Sequence, residues 1–221
     1  MNNNMNQEEL RKLITKVVRE SIEEAGTGET PGDGHLIPVE MSARHVHLTQ
    51  QDVEVLFGKG ATLTLKKNLT LPGFLCEERV NIVTRKGSFT NVAIIGPVRD
   101  HNQVELSATD AFQLGIKCPC NISGDFTDAA DVYLVGTHGM ICAKESAIIS
   151  QAHVHLSPEE GEKWGIKDRE IIEVEVLGSR PLVMKNVMAR IGEGMHAMMH
   201  IDMDEFNASG NQITKQAIIK K

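Results

Sequence analysis

The sequence predicts a mainly β fold with an internal duplication, preceded by one amphipathic helix on a flexible linker. The tripeptide His-Val-His occurs at residues 45–47 and again at 153–155, an offset of 108 residues. Each copy runs on into a helix cap, a short apolar segment, a glycine and a strand rich in β-branched residues. This offset is far longer than a solenoid repeat, so we expect two related β-rich units.

Residues 7–25 are predicted to form the amphipathic helix. Its apolar positions, at helical spacing, are Leu10, Leu13, Ile14, Val17, Val18 and Ile22. The turn-rich stretch 26–34 cannot continue a helix and suits a flexible linker. Because such a helix cannot bury its apolar stripe alone, it must dock on the body of the protein, on a second subunit or on another protein. We therefore expect residues 1–34 to be a unit of their own.

Beyond residue 35, short strands alternate with turns and brief helices. The predicted strands cover residues 61–67, 80–84, 92–95, 131–135, 170–176 and 183–187. The predicted helices are Gln50–Phe57, Ala108–Leu114 and Pro158–Trp164. Ser157 is expected to cap the third helix with Glu160 completing a capping box, and Gly58 and Gly165 to end the two equivalent helices.

Composition excludes several classes of partner and environment. The formal net charge of −7 argues against a nucleic-acid partner, which needs clustered Lys and Arg. No apolar run approaches the roughly 20 residues of a membrane span, and the N-terminus lacks the apolar core of a signal peptide. Cys76, Cys118, Cys120 and Cys142 form no Cys-x-x-Cys pair. We interpret them as reduced thiols of a cytoplasmic protein, with a metal or redox role for Cys118 and Cys120 as the alternative.

The duplicated histidines indicate metal binding. On a strand, both imidazoles of His-Val-His project from one face and form half of a zinc site. His200 lies in an apolar stretch and Glu105 alternates with apolar residues, so both are further candidates; the alternatives are a hydrogen-bonded core histidine and a solvated glutamate. Three protein ligands per metal leave an open position, as catalytic zinc requires. The two predicted ligand sets are His45, His47 and Glu105, and His153, His155 and His200.

Arg99 is the candidate anion-binding residue. It lies six residues before Glu105, and a guanidinium near two divalent cations would bind phosphate or an acyl phosphate through paired hydrogen bonds. A surface salt bridge is the alternative.

Taken together and in order, six stretches resemble one known family over nearly the full chain: the PduL-type phosphate acyltransferases, or phosphate propanoyltransferases. The stretches are Ser-Ala-Arg-His-Val-His-Leu at 42–48, Gly-Pro-Val-Arg at 96–99, Gln-Val-Glu-Leu-Ser at 103–107, Gly-Thr-His-Gly at 136–139, Ala-His-Val-His-Leu-Ser at 152–157 and His-Ile-Asp-Met-Asp-Glu-Phe-Asn-Ala at 200–208.

The resemblance implies two β-barrels capped by short helices, with a dinuclear zinc site between them. The first barrel would comprise residues 44–150, and the second residues 35–43 plus 151–221. The implied reaction interconverts acyl-CoA (propanoyl-CoA or acetyl-CoA) plus phosphate with acyl phosphate plus coenzyme A. The six residues named above would bind two Zn²⁺ per chain, Arg99 would bind phosphate, and Ser123 would bind substrate.

One departure from the family pattern concerns Asn121. The family usually has an arginine there, whereas Ser123, Gly124 and Asp125 are present as expected. If that arginine holds an anionic ligand or a structural carboxylate, its replacement would weaken substrate binding without abolishing activity.

The resemblance also implies a cellular setting. Family members are often cargo of bacterial microcompartments, so residues 7–25 are expected to bind shell or cargo proteins, within the bacterial cytoplasm and in a homo-oligomer. Two other functions stay open: a dinuclear zinc hydrolase of thioesters or phosphate esters, and a non-catalytic metal- or shell-binding module. An acyl-cysteine route through Cys118, Cys120 or Cys142 is the alternative mechanism.

Overall fold

The computed structural model describes residues 34–220, and the predicted helix at 7–25 lies outside them. From His35 onwards the chain is one compact unit. Its strands are β1 His35–Ser42, β2 His45–His47, β3 Leu65–Asn68, β4 Phe74–Val83, β5 Ser88–Gly96, β6 Gln103–Leu106, β7 Cys120–Asn121, β8 Ala130–Val135, β9 Met140–Ser150, β10 His153–Leu156, β11 Ile171–Val176, β12 Leu182–Ile191, β13 Met198–Asp202 and β14 Gln216–Lys220. Its helices are α1 Gln50–Phe57, α2 Ala108–Leu114, α3 Pro158–Trp164 and α4 Met203–Ser209.

Six strands close the first barrel. β2 pairs with β5 and β6, β4 pairs with β5 and β8, and β9 pairs with β6 and β8, which completes the ring. β3 adds to the outer side of β4, and β7 adds to β9. The interior is filled by β-branched and aliphatic side chains that are fully buried, such as Val46, Ile82, Val104 and Leu134.

The second barrel is closed in the order β1, β13, β10, β12, β11 and β14. Its first strand comes from the start of the described chain: β1 runs parallel to β13 and antiparallel to β14. Ile37 and Val39 of β1 are buried in the same core as Val154 of β10 and Ile219 of β14. The predicted fold of two β-barrels with short helices is thereby confirmed for the described residues.

The three predicted helices have the predicted bounds, because local capping signals define them. The Ser157 side chain accepts from the Glu160 backbone N–H, the Glu160 carboxylate accepts from the Ser157 N–H, and Gly165 ends the helix in the left-handed conformation. Helix α4 was not predicted, although Asp202 and Glu205 form the same kind of capping box. Within residues 34–220, no helix is long and apolar enough to cross a lipid bilayer.

Five of the six predicted strands coincide with parts of β4, β5, β8, β11 and β12. The prediction for residues 61–67 was largely wrong, since only Leu65–Asn68 pairs and its residues are exposed. Strand β9 was missed because Lys144 and Glu145 interrupt its apolar pattern, and Glu145 adopts a positive φ of 46°.

Candidate metal centre

Strand pairing brings the two predicted ligand sets together. In the first barrel, His45 of β2 lies directly opposite Glu105 of β6. In the second barrel, His153 of β10 lies directly opposite His200 of β13. In each set, one ligand atom per residue lies within 4.8 Å of the others. Both are candidate metal sites, and both line one cavity of about 380 Å³.

Three of the histidines are oriented by backbone carbonyls. A carbonyl only accepts, so each of these rings carries its proton on Nδ1 and leaves the Nε2 lone pair for a ligand. The contacts are His45 Nδ1 to the Ala43 oxygen at 2.9 Å, His47 Nδ1 to the Ile95 oxygen at 2.9 Å and His153 Nδ1 to the Gln151 oxygen at 2.8 Å. This arrangement is typical of histidines that bind a metal through Nε2.

The other two histidines also fit a metal. The Nδ1 atom of His155 contacts the Met195 sulfur at 3.3 Å. The Nε2 atom of His200 is buried and has no hydrogen-bond partner within residues 34–220, with the Glu40 carboxylate 3.6 Å away. Because a buried nitrogen without a partner is costly, a bound cation would resolve this deficit.

Glu105 is the one carboxylate among the six candidate ligands. Its Oε2 accepts a hydrogen bond from Ser150 Oγ at 2.9 Å, and its Oε1 accepts one from Gln103 Nε2. The Nε2 atoms of His45 and His47 lie 3.6 and 3.9 Å from the carboxylate oxygens. Burial raises the pKa of Glu105, but the facing histidines and the Ser150 hydroxyl outweigh it and lower this pKa to about 2. The group is therefore an anion.

Burial keeps the clustered imidazoles neutral. It is the main cause that lowers the pKa of His47 to about 3, of His155 to about 2 and of His200 to about 4, and it lowers the pKa of His153. Neighbouring histidines and arginines add to the effect. Metal binding requires the neutral imidazole, so these four rings are in the right state at neutral pH.

Arg99 and Ser123 lie together at the cavity. Arg99 Nη1 donates to Ser123 Oγ at 3.1 Å, and Gln103 Nε2 donates to the same oxygen at 2.8 Å. Burial is the main cause that lowers the pKa of Arg99; Glu105 opposes it and Arg190 adds to it. The guanidinium remains a cation, since even a lowered arginine pKa stays far above neutral pH.

One part of the cavity wall is apolar. It includes Leu69, Leu71, Pro72, Leu75 and Met195. The first four come from the segment around the β3–β4 turn, which also reaches the second barrel: Thr70 Oγ1 donates to Glu40 Oε1 at 2.6 Å. The cavity thus combines two candidate metal-ligating clusters, cationic groups and a hydrocarbon surface, a mixture suited to an anion joined to a short apolar chain.

Three polar residues at the site were not predicted: Gln103, Ser150 and Arg190. Gln103 is fully buried, and its Nε2 donates to Glu105 Oε1 and to Ser123 Oγ. Its Oε1 accepts from the Gly124 backbone N–H at 2.8 Å. A polar residue inside an apolar strand was the available signal for Gln103 and Arg190. Their placement depends on strand register, which the sequence alone does not reveal.

Asn121, the departure from the family pattern, has a structural role. Its Nδ2 donates to the backbone oxygens of Asp125 at 3.2 Å and Thr127 at 2.9 Å. It therefore closes the loop that carries Ser123.

The four cysteines are free thiols, and none is among the described residues that line the cavity. Burial raises the pKa of Cys118 to about 11 and also raises that of Cys120. Thiols with raised pKa values are poor nucleophiles and poor metal ligands at neutral pH.

Comparison with known proteins identifies the family of this chain. The sequence model of the phosphate propanoyltransferase family matches residues 38–212. The chain is 39% identical over 220 residues to the phosphate propanoyltransferase of Clostridioides difficile, with 99% of both chains covered. It is 44% identical over 199 residues to that of Lachnoclostridium phytofermentans, covering 90% of this chain and 92% of the relative. The enzyme of the same name from Thermotoga maritima is 41% identical over 175 residues, covering 78% and 83%. The chain therefore belongs to the phosphate propanoyltransferase family and is an acyltransferase.

Proposed function

We propose that this chain transfers an acyl group, with propanoyl as the first candidate, between coenzyme A and phosphate. In this reaction the C–S bond of the thioester breaks, a C–O bond to phosphate forms, and the electron pair leaves with sulfur as the CoA thiolate. The observation that carries the proposal is the single cavity where two clusters of ligating side chains meet Arg99 and an apolar wall. Its relatives are phosphate propanoyltransferases by name, which supports the same reaction.

We propose that the two clusters hold two zinc ions. Each set offers three protein ligands and no cysteine, which leaves an open position on each metal as in catalytic sites. A bound divalent cation supplies Lewis acidity that stabilises negative charge on reacting oxygens. The protein contributes neutral imidazoles with fixed tautomers and a buried carboxylate that two side chains orient.

Arg99 is proposed to bind the phosphate, and Ser123 to position it. The Ser123 hydroxyl accepts one guanidinium N–H, which orients the remaining donors for a phosphate oxygen. The positive charge also stabilises the negative charge that develops on the thioester oxygen during attack. Leu71, Leu75 and Met195 offer a surface on which a short acyl chain is shielded from water.

The experiment that tests this proposal follows CoA release from propanoyl-CoA and acetyl-CoA, with and without phosphate, before and after chelation and zinc restoration. We expect acyl phosphate to form only when phosphate and metal are both present. Phosphate-independent release of free acid would instead identify a zinc hydrolase. Absence of turnover under every condition would support a non-catalytic binding module.

We also propose a division of labour along the chain and a location for it. Residues 44–150 and residues 35–43 plus 151–221 would each supply one ligand set, and the strand pairings support this division. Residues 1–34 would be a targeting segment whose stretch 7–25 binds microcompartment shell or cargo proteins in the bacterial cytoplasm, and the enzyme would act as a homo-oligomer. The helical spacing of the apolar residues at 7–25 supports the targeting role.

A further inference from the structure

Arg190 occupies a position that differs between the two barrels. In the second barrel, β10 runs parallel to β12, and Arg190 lies beside His155. In the first barrel, β2 runs parallel to β5 with Val46 beside Ile94, so the next residue, Ile95, takes the corresponding place beside His47. The duplicated strand pair therefore presents a hydrocarbon in one barrel and a guanidinium in the other.

The guanidinium of Arg190 has no protein acceptor in the part of the chain that the structure describes. It lines the cavity and is partly buried, yet it makes no hydrogen bond or ion pair with another side chain. The other two arginines of the cavity differ: Arg44 donates to Asp110 at 2.7 Å, and Arg99 donates to Ser123 at 3.1 Å. Partial burial of five N–H donors without an acceptor is unfavourable unless a ligand supplies one.

Arg190 also shares an electrostatic environment with Arg99. Each guanidinium is attracted by Glu105, and after burial and Glu105, Arg190 is the next influence on Arg99, lowering its pKa. Two cations on one cavity repel each other, and a multivalent anion bound between them removes that repulsion. A phosphate group has the charge and the number of oxygens to accept from both.

We infer that Arg190 is a second phosphate-binding residue, so that each barrel supplies one arginine to the same phosphate group. This inference rests on the proposed function, because it takes that phosphate to be the group that accepts the acyl chain. Coenzyme A also carries phosphates with the same chemistry. The two sources are separated by measuring which substrate loses affinity.

The test compares zinc-loaded wild-type protein with Arg190→Gln and Arg190→Lys. We expect Arg190→Gln to raise the KM for phosphate about 10- to 100-fold, as expected for loss of a charge-assisted hydrogen bond, and to change the KM for acyl-CoA less than twofold. Arg190→Lys keeps the positive charge but lacks the planar guanidinium, so its KM for phosphate should lie between those of the wild type and Arg190→Gln. Arg180→Gln, an exposed arginine of the same barrel, is the matched control and should behave as wild type.

A second readout is independent of turnover. Inorganic phosphate should raise the unfolding temperature of zinc-loaded wild-type protein, and this increase should be largely lost in Arg190→Gln while zinc content stays at the wild-type value. If Arg190→Gln folds poorly, Arg190→Lys is decisive, since it must still weaken phosphate protection.

Two results would overturn the inference. In the first, both the KM for phosphate and the protection by phosphate are unchanged in Arg190→Gln. In the second, only the KM for acyl-CoA increases, which would assign Arg190 to the phosphates of coenzyme A. Failure of the wild-type protein to make acyl phosphate would sink the proposed function instead. Phosphate protection would still decide the role of Arg190 in that case.

Discussion

At the residue scale, the site depends on side chains that hold other side chains. Glu105 is buried, and each of its carboxylate oxygens accepts a hydrogen bond, one from Gln103 and one from Ser150. These contacts hold the carboxylate close to His45 and His47, the other two members of the proposed ligand set. Groups that orient a metal ligand typically change metal affinity or activity 10- to 100-fold when removed.

Ser150→Ala should therefore weaken metal binding at the first cluster about tenfold, because Glu105 Oε2 loses its donor. The measurement is zinc affinity by competition with a chelator, alongside the free energy of unfolding of the metal-free protein. Ser146→Ala is the matched control: Ser146 lies on the same strand and is also buried, but its hydroxyl donates to the Ala143 carbonyl. Equal zinc affinities of the two variants would contradict the positioning role of Ser150.

Four of the six candidate ligands could be predicted from the sequence because the His-x-His spacing acts within a single strand, whereas Glu105 and His200 were proposed from their apolar neighbours and from the family resemblance. Arg190 could not, since its place beside His155 depends on the pairing of β10 with β12. The role of Gln103 could not be predicted either, since its contacts with Ser123 and Gly124 depend on a loop that folds back from residue 121 onwards.

At the element scale, the four strands that carry the candidate ligands all run directly into capped helices. The N-cap residues are Thr49 after β2, Ser107 after β6, Ser157 after β10 and Asp202 at the end of β13. Each cap ends its strand and begins the next helix within one or two residues. The helices thereby fix the ends of the strands on which the ligands lie.

Replacing one of these caps should cost stability. Ser157→Ala removes the acceptor for the Glu160 backbone N–H and should lower the free energy of unfolding by about 1 kcal/mol. Chemical denaturation of the metal-free protein measures this change. Ser88→Ala, at an exposed serine on β5, is the control and should change stability much less. A loss no larger than that of the control would show that the cap contributes little.

Helices were easier to predict than strands because their sequence signals are local. A cap, an apolar stripe and a terminal glycine are all local, and they define α1, α2 and α3 correctly. The strands β6, β9, β13 and β14 are stabilised by partners far away in the sequence. For residues 61–64 a strand was predicted from the alternating pattern but is not formed, since β3 begins only at Leu65.

At the scale of the whole molecule, the buried histidines make stability depend on pH. Four of them have pKa values lowered by burial, and they are His47, His153, His155 and His200. Below pH 6.5 the unfolded chain takes up protons at these positions while the folded chain does not. The free energy of unfolding therefore has its full value, as far as these histidines are concerned, above pH 6.5. It decreases as the pH falls towards the pKa values of the folded protein, about 4 for His200.

We expect the unfolding temperature of the metal-free protein to fall by at least about 5 °C between pH 7 and pH 5. Glu205 acts in the opposite direction: burial raises its pKa to about 7, so its protonation on acidification favours the folded state. Four histidines should outweigh this one carboxyl. Calorimetry in a chelator checks the result, and an unchanged or higher midpoint at pH 5 would mean that the folded protein already binds these protons.

Removal of residues 1–25 tests the proposed targeting segment. The described residues that line the cavity lie between Glu40 and His200, and we expect turnover to stay within about twofold of the full-length protein while packaging is lost. Val17→Asp in the full-length chain is the companion variant, because it places a charge on the predicted apolar stripe and keeps the linker. Co-purification with shells measures packaging. Loss of turnover after the deletion would instead favour docking of this segment on the enzyme itself.

The position of β1 has a consequence for how the protein is made. His35 of β1 lies opposite Ile219 of β14, so β1 leaves the ribosome long before the strand that it must pair with to close the second barrel. The first barrel needs only strands between residues 45 and 150 and can close while synthesis continues. A truncated chain that ends before residue 216 would thus retain one ligand set in a closed barrel and leave the other in an open sheet. An enzyme that needs both clusters is therefore active only after β14 has been added.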